Sequence, residues 1–218
     1  MTAPAVRAPR IARHRTYDPV LRVIHGVMAL SITVIVAVFA LGDLLGDRAD
    51  GDTVALLHTA AGFILVGALL ARLVWGMVGP HEARLARLWH PRVWVEAIRR
   101  RQFPHASGFG HHPAASVAYL AFYAAIAYLS VSGIVMAGAE FDIGPATWWT
   151  TSRALRPLAR ALGEAHEGAA LVVVGFIAAH LLALVWHERR DGVTVAQAMI
   201  SGYQYRSESE VTGEHVAR

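Results

Sequence analysis

Four stretches of this 218-residue chain stay apolar for the length a helix needs to cross a bilayer: Ile24 to Leu45, Leu57 to Val78, Ala115 to Ala137 and Gly168 to Trp186. Each lies near the ~20 residues that span the hydrocarbon core. The runs are apolar on every face. A membrane barrel would instead alternate apolar and polar residues in short segments. A hydrophobic share of 55% against 17% charged residues agrees with the pattern. The expected fold is an all-α integral membrane four-helix bundle, because a helix satisfies its own backbone where no water can do so.

The chain contains no cysteine. It therefore has no disulfide, no thiolate-ligated iron–sulfur cluster and no haem attached through a C-x-x-C-H motif. The first run is longer than a signal-peptide core and is followed by no clear small-residue cleavage site, so it is expected to be a retained helix. The net charge of +4 does not point to nucleic acid, since the basic residues gather at the ends of the apolar runs. Arg7, Arg10, Arg13, Arg15 and Arg22 precede the first run, and Arg84, Arg87, Arg92, Arg99, Arg100 and Arg101 follow the second. The first loop is acidic, with Asp43, Asp47, Asp50 and Asp52. This asymmetry places both termini in the cytoplasm. The loop from Glu140 to Glu167 is mixed in charge and carries Trp148 and Trp149, a pair suited to the membrane interface. Residues 1–16 and 204–218 read as cytoplasmic tails around one transmembrane domain, 17–203. A short interfacial helix is expected around Leu85 to Arg101, where Trp89 and Trp94 stand among arginines.

Ionisable residues inside a span are costly and mark function by default. His25 lies near the start of the first run, His58 opens the second, and His166 and His180 belong to the fourth. Fourteen helical steps return a side chain to within about 40° of its starting direction after a rise of about 21 Å. One helix face thus carries two imidazoles at two depths. The up-and-down path pairs His58 with His166 in the outer half and His25 with His180 in the inner half. Two imidazoles per level suit the two axial positions of a haem iron and fall short of the four ligands usual for structural zinc. The plainer alternative is that the histidines hydrogen-bond between helices and bind nothing. Gly26, Ala61, Gly62, Gly168, Ala169, Ala178 and Ala179 remove bulk beside them. His187, seven residues beyond His180, is a runner-up as a propionate partner or proton donor. Arg22 and Arg72 could balance haem propionates through the planar guanidinium fork, or simply obey the positive-inside rule.

The segment Tyr17-Asp18-Pro19-Val20-Leu21-Arg22-Val23-Ile24-His25 resembles the opening of the bacterial cytochrome b561 family, which includes the b-type cytochrome subunits of nickel–iron hydrogenases. His58 with Gly62, the run Arg72-Leu73-Val74-Trp75-Gly76-Met77-Val78-Gly79, Ala83-Arg84-Leu85, Gly110-His111-His112-Pro113 and the tail Ala198-Met199-Ile200-Ser201-Gly202 continue the similarity. Gly26 stands where the family often has Trp, and His112 where it often has Asn. The resemblance implies two non-covalent haems b with axial ligands His25, His58, His166 and His180, in a multi-pass protein of the bacterial inner membrane. It also implies electron relay in a respiratory chain between a membrane quinone and a redox partner: a hydrogenase, another dehydrogenase or a c-type cytochrome. A homodimer is open. Two rivals stand beside this expectation: a self-contained quinone oxidoreductase that oxidises a small reductant such as superoxide, and a haem-free metal transporter.

Overall fold

The computed structural model describes residues 11–46, 50–101, 113–150, 156–191 and 195–207. Seven helices dominate: α1 (Pro19–Leu45), α2 (Gly51–Val78), α3 (Pro91–Arg100), α4 (Pro113–Glu140), α5 (Thr147–Thr150), α6 (Arg156–Asp191) and α7 (Val195–Ser201). Four of them, α1, α2, α4 and α6, are long and apolar enough to cross a membrane. Proline opens α1, α3 and α4, the position where its missing N–H costs nothing and its fixed φ suits the first turn.

The helices outrun the apolar stretches for reasons written in their caps. Asp18 ends the preceding segment in extended geometry, and its carboxylate accepts the Leu21 N–H at 3.0 Å, so α1 begins at Pro19. At α2 the Thr53 hydroxyl donates to Asp50, the N-cap residue, and holds that carboxyl below the usual range. The largest departure is α6. It begins at Arg156, a full three turns before the apolar run, and places His166 well inside a continuous helix rather than at its mouth.

Ile24, Met28 and Ile32 of α1, Leu65, Ala68 and Leu69 of α2, Ile126 of α4 and Val173 of α6 form one buried cluster at the bundle centre. Many large aliphatic side chains face outward instead, among them Leu30, Leu70, Leu171 and Leu182. This is the distribution of a bundle whose solvent is lipid.

At one end of the bundle the motif residues lock together. Trp75 donates its indole N–H to Asp18 at 3.1 Å, joining α2 to the cap of α1. Arg72 is buried, and it donates to the Ala83 carbonyl at 3.0 Å and to the Tyr123 hydroxyl at 3.1 Å. A Cβ on Gly76 would stand 2.5 Å from Leu85 Cγ, so only glycine lets the two short 3-10 turns, His81–Ala83 and Leu85–Leu88, fold back against α2. Beyond them, α3 buries Ala97 and leaves Val95 and Ile98 exposed, and Trp89 meets Trp94 edge to face. The interfacial helix expected there thus begins at Pro91, after a 3-10 turn.

The terminal segments differ from expectation. Ile11–Arg15 (β1) and Tyr203–Ser207 (β2), read from the sequence, apart from Tyr203, as parts of two tails, pair as an antiparallel ribbon running from Ile11 opposite Ser207 to Arg15 opposite Tyr203. The ribbon continues into Thr16 and Tyr17, whose N–H groups both donate to the Gly202 carbonyl. Both terminal segments therefore lie at the same end of the bundle.

Candidate haem site

Histidines at two levels of the bundle organise the site, His58, His166 and His180 half-buried and His25 exposed. At the first level His58 of α2 faces His166 of α6, with ring centroids 6.2 Å apart and planes at 69°. Phe39 of α1 meets His58 edge-on at 5.0 Å. From α4, Ser132 hydrogen-bonds His166 Nδ1 at 2.8 Å, and the bare Cα of Gly133 lies beside the same ring. Buried Nδ1 of His58 has no hydrogen-bond partner among the described residues. At the second level His180 of α6 stacks on Phe176, planes within 7°, and meets Tyr119 of α4 edge-on at 6.3 Å. Phe176 in turn stacks on Phe122 at 4.4 Å. His25 of α1 lies within electrostatic reach of His180, as His58 does of His166.

One spacing organises both levels. His166 and His180 are fourteen residues apart on α6, as are Tyr119 and Gly133 on α4, Phe39 and His25 on α1, and Arg72 and His58 on α2. Antiparallel neighbours with the same interval bring the four helices into register twice, about 21 Å apart along the axis. Contacts to the histidines follow this interval on α4 and α6, where Gly133 lies beside His166 and Tyr119 meets His180.

Backbone beside the histidines is bare. A Cβ on Gly26, Gly62 or Gly168 would meet nothing within 4 Å, so a flat group can approach the main chain there. Arg72 makes the two hydrogen bonds already described. Arg22, one turn before His25, donates a terminal N–H to the Ile200 carbonyl at the end of α7, and its Nε is buried without a partner. Trp148 of α5 is exposed. The side chains of Trp149 and His187, and residues 102–112 with His111 and His112, lie outside the described residues. Among the described residues no group of three or more His, Cys, Asp or Glu side chains converges. Ser132, Phe39, Tyr119 and Phe176 surround the histidines without having been singled out by sequence. The available signal was the inverted spacing of α4 against α6, which puts the small polar patch Ser130-Val131-Ser132-Gly133 opposite His166.

A membrane bundle that brings two imidazoles, His58 and His166, face to face across its helices has a donor set that suits a haem iron. The chain belongs to the prokaryotic cytochrome b561 family, whose model matches residues 16–202. It is 29% identical over 141 residues to a probable Ni/Fe-hydrogenase B-type cytochrome subunit of Azotobacter vinelandii, a stretch covering 55% of this chain and 58% of that protein. It is 24% identical over 209 residues to a probable Ni/Fe-hydrogenase B-type cytochrome subunit of Bradyrhizobium diazoefficiens, covering 85% and 83%. The similarity thus spans less than two thirds of the Azotobacter relative's length. No solved structure matches the chain. Family and fold together make this a multi-pass membrane protein of a b-type cytochrome family, and that family implies haem b.

Proposed function

We propose that the chain holds two haems b, one between His58 and His166 and one between His25 and His180, and relays electrons between a membrane quinone and a redox partner protein. The observation that carries this is the His58–His166 pair. Two imidazoles binding one metal through bonds of about 2.0–2.1 Å would hold their ring centroids roughly 6 Å apart, and the rings of His58 on α2 and His166 on α6 stand at 6.2 Å. The bare glycine backbone at Gly62 and Gly168 supports the same assignment. Bound haem b supplies a one-electron iron couple, and six-coordinate bis-imidazole ligation suits it to electron transfer.

The chain's own residues do the rest. Four imidazoles on α1, α2 and α6 fix the positions and depths of the centres, and the Phe122–Phe176 stack packs the space beside His180 against water. Arg22 would offer its free Nε to a propionate, and Arg72 its remaining donor capacity, in addition to the contacts that both already make. With arginines concentrated beyond α2, both termini face the cytoplasm of a bacterial inner membrane. The relatives named as hydrogenase cytochrome subunits support a hydrogenase as the partner.

A reduced-minus-oxidised spectrum of the purified protein tests the proposal. It is expected to show low-spin haem b at about two per chain, extractable by acidified solvent because no cysteine can attach it. One haem per chain, or a haem that resists extraction, would contradict it. Co-purification with a hydrogenase encoded by the same organism tests the partner.

A further inference from the structure

Ser132 is buried in α4, and its hydroxyl stands between two groups of opposite demand. The Tyr128 carbonyl, 2.7 Å away, can only accept a hydrogen bond, and the Leu129 carbonyl at 3.4 Å has the same limitation. The single hydroxyl proton therefore goes to the carbonyl side. What the Ser132 oxygen offers His166 Nδ1, at 2.8 Å, is a lone pair. An accepting oxygen requires the proton of the imidazole on Nδ1, which leaves Nε2 with its lone pair free.

We infer that Ser132 is a positioning residue for His166, fixing its imidazole with the proton on Nδ1 and presenting Nε2 to the iron of the haem it shares with His58. The inference rests on the ligand pairing proposed above. Gly133 contributes by letting the ring lie close to α4: a Cβ there would already touch His166 Cε1 at 3.5 Å. The facing ligand His58 has no such anchor among the described residues, since its Nδ1 is unpartnered there. Orientation at this level is therefore supplied from one side. A partner that accepts the second N–H of a ligating histidine also raises the donor strength of the ligating nitrogen, and losing such a partner typically costs about 10–100-fold in metal affinity. A stronger donor favours the oxidised, more positive iron, so Ser132 holds down the midpoint potential of this haem and not of the other.

The test uses the full-length protein in detergent, with redox titration and low-temperature electron paramagnetic resonance resolving the two haems. His166→Ala identifies the component that belongs to His166. In Ser132→Ala that same component is expected to titrate at a higher potential and to be retained at about one tenth of the wild-type affinity, the other component being unchanged. Because removing a buried group can also lower yield, the near-isosteric pair Ser132→Thr and Ser132→Val separates hydroxyl from volume. Thr is expected to restore the wild-type potential and resonance, and Val to reproduce the shift. Identical potentials for Thr and Val, or a shift confined to the component that survives in His166→Ala, would overturn the role of Ser132 alone. A His166→Ala protein retaining both components would overturn the ligand pairing, and the Ser132 inference with it.

Discussion

At the residue scale, the side chains that carry the family resemblance divide into those at the two histidine levels and those that build the bundle's end. Asp18 belongs to the second group. One of its oxygens accepts both the Leu21 backbone N–H and the Trp75 indole N–H. Removing it takes away a helix cap, about 0.5–2 kcal/mol, and leaves a part-buried indole donor unpaired, which adds about 1–3 kcal/mol. Asp18→Ala is expected to lower the thermal midpoint followed by haem absorbance, whereas Asp18→Asn, which keeps an acceptor, should recover most of it; equal losses would mean that charge rather than the shared acceptor matters. The sequence displayed Asp18, Trp75 and Gly76 as a pattern without a role and offered Arg72 only as a propionate partner or a membrane-end charge, because the Asp18–Trp75 and Arg72–Tyr123 bonds join positions 57 and 51 apart. The histidines were legible because an imidazole in an apolar run is conspicuous by its cost. Ser132 was not, because a serine beside glycine in such a run resembles any small packing residue.

At the element scale, the four long helices were legible from length and apolarity, and their true starts were not. α6 gains three turns from Arg156 onward in a segment too polar to count as a span, because helix formation follows hydrogen-bonding continuity rather than hydropathy. The terminal ribbon was invisible for a different reason: a strand is defined by its partner, and β1 and β2 lie at opposite ends of the chain. Its join to the bundle passes through Gly202, which adopts φ +85° and whose Cβ would stand 2.9 Å from the Tyr17 carbonyl. Gly202→Ala is expected to cost about 1–2 kcal/mol for the left-handed conformation alone and to release the ribbon and α7. Hydrogen exchange would show it as faster exchange at Thr16 and Tyr17 with α2 and α4 unaffected; unchanged protection there would contradict the coupling. Gly76→Ala acts on the other side of the same end. It forces Leu85 away from α2 and is expected to destabilise the fold by about 1–3 kcal/mol as an overpacked contact, read as a lower thermal midpoint.

At the scale of the whole molecule, an even number of spans and the pairing of β1 with β2 put the terminal segments at one end. In the proposed orientation, which follows the arginine asymmetry, that end is cytoplasmic. Reporter fusions at Asp50 and Arg100 are expected on opposite sides of the membrane, the first outside; finding them on the same side would break the assignment of depth to each histidine. The account as a whole rests on two haem levels with separate ligands, and the haem-to-protein ratio of single and double variants tests this most directly. His58→Ala is expected to lower the ratio from about two to about one by removing the outer haem, and His180→Ala to do the same by removing the inner one. The two single variants should keep different components in redox titration, and the double variant should approach zero, as bis-imidazole ligation requires. A double variant that keeps one haem, with both single variants also keeping that same one, would place His58 and His180 at a single site and contradict the two-level account.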